Sequence, residues 1–281
     1  MNVSSLSNYT SPSLRLRSPT GFWGQPTATV DWCEPNYQHS FYIAEFWNTV
    51  SNLLFVILGL YGLVRSMKQG FEWRFHTLFL SVIITGFGSA MFHGTLQQMH
   101  QQFDETPMIW GILVWIYIVF ENEYKKLGIP NAVVVAALTI FGGGFALLHS
   151  IYHFTLVFQL FFGILAWLCL FRLCGHYAQV KDPRAKAVAR SFLRNTLLGF
   201  GFWMLDYHYC SQLKLLPFNP QGHAWWHILV GIGSYHGPVF MQYVRMEQQQ
   251  KKAEIVDVMY GIHTIVVHTD EDMANIKPKS L

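Results

Sequence analysis

Long apolar segments are the feature that most constrains this chain. A membrane-spanning helix needs about 20 mainly apolar residues, and seven such segments can be drawn. They are residues 42–64, 75–95, 104–122, 131–149, 152–173, 191–208 and 223–245. Charged residues make up 12% of the sequence, against about 25% in soluble domains. The sequence therefore predicts an all-α, polytopic membrane protein with seven transmembrane helices.

Basic residues outside the segments predict the orientation, because loops rich in Lys and Arg stay in the cytosol. Of the 19 basic residues, 16 fall on the side of the C-terminus, and Arg15, Arg17 and Lys214 fall on the other. The expected regions are a lumenal N-terminal tail with an acidic segment (1–40), a seven-helix catalytic domain (41–246) and a cytosolic C-terminal tail (247–281). The C-terminal tail is polar, and we expect it to be flexible.

Two short patterns near the termini agree with this orientation. N-glycosylation sequons begin at Asn2 and Asn8, and such sites are modified on the lumenal side. Lys277 and Lys279 lie at the fifth and third positions from the C-terminus, a pattern that resembles a cytosolic dilysine retrieval signal. We therefore expect a multi-pass protein of the endoplasmic reticulum membrane, with the Golgi as the alternative.

Two histidines, His223 and His227, lie four residues apart at the start of the last segment, so a helix places both on one face. Ser89 and His93 repeat this spacing at the end of the second segment, and Asp104 begins the third. The predicted orientation puts all five at a similar depth, where ionisable groups are costly and usually functional. Three histidines and a water form the open site of a catalytic zinc, for which a nearby carboxylate is a general base.

A second histidine pair competes for this role. His149 and His153 have the same spacing and a similar predicted depth, so spacing does not separate the two pairs. The sequence gives them no evident carboxylate or hydroxyl partner, which favours the first pair. His100 and His208, in or near lumenal loops, are expected to be solvated.

Oxygen donors cluster before the first segment. Asp31, Glu34 and Asn36 lie close together, and Glu45 follows inside the apolar start of the segment, where an unpaired carboxylate is costly. Carboxylate and amide oxygens suit a hard cation such as calcium, although the spacing is not that of an EF-hand. The alternative, a solvated acidic loop, is weakened by Glu45.

The four cysteines divide between the two sides of the membrane. Cys33 and Cys210 fall on the predicted oxidising side, where a disulfide can form. Cys169 and Cys174 lie toward the cytosolic side, and we expect them to be free thiols.

Together these residues resemble the alkaline ceramidases, seven-helix membrane amidases of the superfamily that includes the adiponectin receptors. The resemblance covers residues 31–245 and depends on the order and spacing of four motifs. The motifs are Asp31-Trp-Cys-Glu-Pro-Asn36 with Glu45 and Asn48, Ser89-x-x-x-His93, Asp104-Glu105-x-Pro107-Met108 and His223-x-x-x-His227.

The resemblance implies a role for each matching residue. The implied zinc ligands are His93, His223 and His227, with Asp104 as proton carrier and Ser89 near the metal. The implied calcium ligands are Asp31, Trp32 (through its carbonyl), Glu34, Asn36 and Glu45. The implied disulfide joins Cys33 to Cys210.

The implied reaction is hydrolysis of ceramide to a sphingoid base and a free fatty acid. Zinc lowers the pKa of a bound water toward about 7, Asp104 accepts its proton, and zinc with the Ser89 hydroxyl stabilises the oxyanion. Ceramide has two long alkyl chains and lies in the bilayer, which explains why the implied site would be inside the membrane. Candidate aromatic wall residues are Phe92, Trp110, Trp203, Trp225 and Trp226. The sequence indicates no nucleic-acid or protein partner.

Two other functions fit parts of the pattern. A receptor-like member of the same superfamily would use the zinc site structurally, but the cluster from Asp31 to Glu45 and the lumenal N-terminus favour the ceramidase branch. A transporter would use the histidine and aspartate cluster as a proton relay. The sequence has no evident internal repeat, which many transporters show.

Overall fold

The computed structural model describes residues 20–268, which form a helical bundle followed by two short strands. The helices are α1 (Phe46–Ser51), α2 (Leu53–Lys68), α3 (Trp73–Thr95), α4 (Gln98–Val119), α5 (Glu121–Lys126), α6 (Asn131–Tyr152), α7 (Thr155–Gln179), α8 (Pro183–Leu213) and α9 (Gly222–Gln248), and the strands are β1 (Ala253–Met259) and β2 (Ile262–Val267). The sequons at Asn2 and Asn8 and the lysines Lys277 and Lys279 lie outside the described residues.

Each of the seven predicted segments lies on a long helix, with α1 and α2 together forming the first. Four helical segments are long and apolar enough to cross a membrane, namely Phe46–Lys68, Trp73–Thr95, Asn131–Tyr152 and Thr155–Gln179. The other long helices, α4, α8 and α9, carry more polar residues. The apolar helices indicate a multi-pass membrane protein, and the count of seven spans stays a prediction.

Helix α8 extends well beyond its predicted segment of residues 191–208. Asp182 caps its start, since the Asp182 carboxylate accepts the backbone N–H groups of Arg184 and Ala185 at 2.7 and 2.8 Å. Pro183 occupies the first helical position, where its missing N–H costs nothing. The added turns are rich in basic residues, so a search for apolar segments does not find them.

Helix α9 lies at the centre of the packing. It runs along α8 and contacts α1, α2 and α3, and its Tyr235 and Phe240 are fully buried. The α6–α7 hairpin packs instead against α4 and leaves most of its own surface exposed. Helices α7 and α8 have few contacts with each other, so α7 is held mainly by α4.

Residues 253–267 correct two predictions, the flexible C-terminal tail and the all-α fold class. β1 and β2 pair as an antiparallel hairpin, with Ile255 opposite Ile265, and both side chains are 1% exposed. The hairpin packs on α9, and the Tyr235 hydroxyl donates to the His263 carbonyl at 2.8 Å. The weak alternation of apolar residues here is that of a strand pair with one face buried on a helix.

Candidate functional site

Three histidines from two helices converge at one end of the bundle, which we call the histidine end. His93 comes from the last turn of α3, and His223 and His227 from the first turns of α9. Their ring centroids are 4.5 to 4.9 Å apart, and one nitrogen from each ring lies within 4.8 Å of the others. All three residues are buried. Within residues 20–268 this is the one group of three His, Cys, Asp or Glu side chains with metal-binding geometry.

Neighbouring polar groups orient two of these rings. Glu45 Oε2 lies 2.5 Å from His93 Nδ1, and Ser51 Oγ lies 2.9 Å from His227 Nδ1. His93 Nε2 and His223 Nδ1 are buried and have no hydrogen-bond partner among the described residues. Zinc-binding histidines commonly use one nitrogen for such a partner and the other for the metal. The orphaned nitrogens and the all-histidine donor set therefore fit a zinc ion.

Ser89 and Asp104 are brought together by close contact between α3 and α4. A Cβ atom on Gly88 would lie 1.9 Å from the Phe103 carbonyl oxygen, so this approach requires glycine. Both side chains line the cavity that His223 and His227 also line. Asp104 is half-buried, and its oxygens are not part of the histidine cluster. It therefore faces the cavity without belonging to the ligand group.

The cavity has a volume of about 290 Å³ and is mainly apolar away from the histidine end. Phe92, Trp203 and Trp226 line it as predicted, whereas Trp110 and Trp225 are exposed at 47% and 46%. Aliphatic and aromatic residues of α7 and α8 form much of its wall, and they include Phe158, Phe162, Leu170, Leu173, Phe192 and Leu197. A polar site thus lies at one end of a space suited to alkyl chains.

The predicted calcium residues lie beside the histidines but do not all point at one position. Glu34 accepts the backbone N–H groups of Trp47 and Asn48 at 2.7 and 2.9 Å, and so holds the start of α1. Asn36 donates to Asp31 Oδ1 at 3.1 Å, and the Asn36 Oδ1 atom is buried without a partner in the described chain. Burial raises the pKa of the Glu34 carboxyl, although the two backbone N–H groups oppose this shift.

Two residues of this acidic cluster contact the histidines directly. Glu45 accepts the Trp32 backbone N–H at 3.1 Å through one oxygen and bonds His93 through the other. The Trp32 ring stacks on His223, with centroids 3.6 Å apart. The acidic cluster therefore contacts two of the three histidines directly.

A disulfide and a buried aspartate connect this region to α8 and α9. Cys33 and Cys210 form the predicted disulfide, with Cα atoms 5.2 Å apart. Asp206 is 2% exposed and accepts the backbone N–H groups of Cys33 at 3.0 Å and His223 at 3.2 Å. Sequence reasoning gave Asp206 no role. The sequence places Asp206 in the predicted sixth segment. It gives no sign of the two backbone N–H partners, because both are distant in sequence.

The competing pair, His149 and His153, does not form a second cluster. His149 Nε2 lies 2.5 Å from Glu105 Oε2, so the expectation that this pair lacks a carboxylate partner is wrong. Glu105 also accepts from Gln101 at 2.8 Å, which fixes its carboxylate. His100 bonds Thr95 at 2.6 Å, and His208 is exposed. The Glu105–His149 contact joins α4 to α6 rather than assembling a metal site.

The fold and the site define a helical membrane protein whose buried histidine cluster lies at the polar end of an apolar cavity. Residues 24–268 match the ceramidase family. The chain is 37% identical to an alkaline ceramidase of Arabidopsis thaliana over 230 residues, covering 82% of this chain and 89% of that protein. It is 33% identical to alkaline ceramidase 3 of Mus musculus over 259 residues, covering 88% and 94%.

Alkaline ceramidase YPC1 of Saccharomyces cerevisiae is also similar, at 32% identity over 254 residues, covering 82% of this chain and 80% of that protein. The chain therefore belongs to the ceramidase family. The resemblance drawn from the sequence motifs and the assignment to the hydrolases are confirmed.

Proposed function

We propose that this protein is a zinc-dependent intramembrane amidase that hydrolyses ceramide to a sphingoid base and a free fatty acid. The observation that carries the proposal is the convergence of His93, His223 and His227 beside Ser89 and Asp104, at the polar end of an apolar cavity. Membership of the ceramidase family supplies the substrate.

The zinc would be held by His93, His223 and His227, and the unpartnered Nε2 of His93 and Nδ1 of His223 fit it. When bound, it supplies Lewis acidity and lowers the pKa of a water toward about 7. Glu45 and Ser51 hold the rings of His93 and His227 by hydrogen bonds to Nδ1, and so keep Nε2 of each available. Trp32 fixes the plane of His223 by stacking.

Asp104 and Ser89 would perform the proton transfer and charge stabilisation. Asp104 accepts a proton from the attacking water and passes it to the nitrogen of the leaving amine as the C–N bond breaks. The Ser89 hydroxyl donates a hydrogen bond to the carbonyl oxygen as negative charge develops there. Both residues line the cavity, so they can reach a carbonyl group beside the histidines.

The cavity would hold the alkyl chains of the substrate. Its wall is mainly aliphatic and aromatic, and the few contacts between α7 and α8 leave a lateral route from a bilayer. A substrate that enters by this route keeps its chains in an apolar environment while the amide group reaches the polar end. Closing such a site against bulk water also strengthens the electrostatic contacts in it.

His223→Ala tests the zinc amidase directly. We expect the wild-type protein to hold one zinc per chain by mass spectrometry and to release fatty acid from ceramide, and the variant to lose both. His208→Ala, at an exposed histidine near the same end, is the control and should retain both. Full amidase activity in the metal-free wild-type protein would contradict the mechanism.

We also propose a calcium ion bound by Asp31, the Trp32 carbonyl, Glu34, Asn36 and Glu45. Its support is chemical, since all five donors are oxygens and Asn36 Oδ1 is buried without a partner. None of the three carboxylates has a Lys or Arg partner in residues 20–268. Each carboxylate oxygen has a second lone pair, so the hydrogen bonds of Glu34 and Glu45 leave room for a cation.

We propose seven membrane spans, with the histidine end facing the lumen of the endoplasmic reticulum and the C-terminus in the cytosol. The distribution of basic residues supports this orientation. Glycosidase-sensitive mass on Asn2 or Asn8 is the expected result in cells. Glycosylation of a sequon introduced after residue 268 would contradict it.

A further inference from the structure

A tightened turn in the first long helix lies beside the histidines. α1 ends at Ser51 and α2 begins at Leu53, and Asn52 joins them with helical backbone dihedrals (φ −67°, ψ −17°), so that the two form one apolar segment. The Asn52 backbone N–H bonds the Thr49 carbonyl three residues back, at 3.3 Å, rather than the carbonyl four residues back. Tightened or interrupted turns in helices often occur at functional positions.

The Asn52 side chain is held on one side and unsatisfied on the other. Its Nδ2 donates to the Asn48 carbonyl at 2.8 Å and lies 3.3 Å from His227 Nδ1. The Asn48 carbonyl can only accept, so this contact fixes which end of the amide is nitrogen. The residue is 1% exposed, and its Oδ1 has no partner among the described residues. A buried acceptor without a hydrogen bond is costly. Such an atom in a native structure usually has a specific partner.

The position of Asn52 indicates what that partner is. Asn52 lines the cavity together with Ser89, Asp104 and His227. Asn48, one turn earlier, also has an unpartnered Oδ1, but it bonds Glu45 and does not line the cavity. An acceptor at the cavity wall beside the reactive end is placed to take a hydrogen bond from an N–H or O–H group of a bound substrate.

We propose that Asn52 Oδ1 accepts a hydrogen bond from the polar head of the substrate, from the N–H of the scissile amide or from the neighbouring hydroxyl. This inference rests on the proposed ceramide hydrolysis. Asn52 then recognises the donor side of the substrate, while Ser89 faces its carbonyl oxygen. The contact makes Asn52 a specificity residue, because a substrate without the donor leaves Oδ1 unsatisfied.

Three substrates of equal chain length test the contact. They are ceramide, an ester analogue in which oxygen replaces the amide N–H, and a 3-deoxy analogue without the neighbouring hydroxyl. The ratio of kcat/KM between Asn52→Ala and wild type is measured for each, so that differences in intrinsic reactivity cancel. We expect a loss of about 10- to 100-fold on ceramide and a loss below about 2-fold on the one analogue that lacks the donor.

The substrate that escapes the loss identifies the donor as the N–H or the hydroxyl. Ser51→Ala, which removes the other neighbour of His227 Nδ1, should lower kcat/KM equally on all three substrates. Asn52→Ser serves if Asn52→Ala does not fold, as judged by zinc content and thermal midpoint.

An equal loss on all three substrates for the Asn52 variant would assign Oδ1 to a structural or water-mediated contact and overturn the inference. Wild-type protein that hydrolyses none of the three would overturn the proposed function, and the inference with it.

Discussion

The two ends of the bundle differ in whether their carboxylates pair with Lys or Arg side chains. At the histidine end, Glu34, Glu45 and Asp206 are nearly inaccessible, yet in residues 20–268 no Lys or Arg side chain pairs with them. At the other end, which we call the ion-pair end, Glu72 and Glu121 bond Arg74 and Arg245. Carboxylates of the first kind need backbone N–H groups, protons or metal ions, and those of the second kind hold helices together.

The ion-pair end shows what a structural use of charge requires. Arg74 Nη1 lies 2.7 Å from Glu121 Oε2, and Arg245 Nε lies 2.6 Å from Glu72 Oε1. These contacts connect the start of α3, the short helix α5 and the end of α9. Every buried charge here has a partner of opposite sign, so no ligand is needed to complete the region. The absence of such partners at the histidine end is what makes it a candidate site.

Among changes at the histidine end that leave the three zinc-binding histidines in place, Asp104→Asn gives the largest expected effect. Asparagine has the same shape but cannot accept the proton, so we expect kcat to fall by about 10²- to 10⁴-fold. Zinc content and thermal midpoint should stay near wild-type values, because Asp104 is outside the ligand group. Asp257→Asn, on the distant β-hairpin, is the control. A fall in zinc content parallel to the fall in activity would show that Asp104 acts as a ligand.

Glu121→Gln is the matching change at the ion-pair end. It leaves Arg74, which is 4% exposed, without its closest anionic partner. Breaking a buried pair from one side costs about 3–5 kcal/mol of stability. The thermal midpoint of detergent-solubilised protein should fall, while the activity of the molecules that remain folded should not. Glu123→Gln should have a smaller effect, because the Glu123 side chain in the Arg172–Glu123 pair is 39% exposed.

Glu45→Gln distinguishes the two ends by their dependence on metals. Glu45 bonds His93 Nδ1, and loss of such a partner typically weakens metal binding by about 10- to 100-fold. The same variant should lose the rise in thermal midpoint that calcium gives the wild-type protein. Without calcium and zinc its stability should change little, since no cationic side chain loses a partner.

Glu34→Gln is the matched control for this change. Its carboxylate bonds backbone N–H groups at the start of α1 and no histidine. We therefore expect weaker calcium stabilisation with zinc affinity unchanged, measured by titration of each metal against the thermal midpoint. Equal calcium stabilisation in the wild type and both variants would argue against a cation site in the acidic cluster.

The sequence predicts the helical architecture from the length of its apolar segments, and the resemblance of its motifs predicts the family and the Cys33–Cys210 disulfide. Apolar length predicts helices, and i and i+4 spacing puts His223 and His227 on one face. The alternating direction of the helices then brings His93 and Asp104 to the same end, where the structure has them. These steps need only the local spacing of residues and the number of helices, which determines the end of the bundle at which each helix begins.

Contacts between helices could not be predicted in this way. Asp206 bonds the backbone of Cys33, 173 residues away, and Ser51 bonds His227, 176 residues away. Nothing in local spacing indicates such pairs, and the role of Asn52 depends on the same packing. The start of α8 was different. Asp182 followed by Pro183 is a readable helix start, but the polar turns after it concealed the helix from a search for apolar length.

Lys125→Ala is expected to have the smallest effect on thermal stability among the changes at the ion-pair end. Lys125 bonds Glu121 at 2.5 Å, but its side chain is 49% exposed. An exposed ion pair one helical turn apart contributes about 0–1 kcal/mol, so the thermal midpoint should fall far less than in Glu121→Gln. Lys126→Ala, on the same helix and without an ion pair in the described chain, is the control. A loss as large as that of Glu121→Gln would mean that the lysine, rather than Arg74, neutralises Glu121.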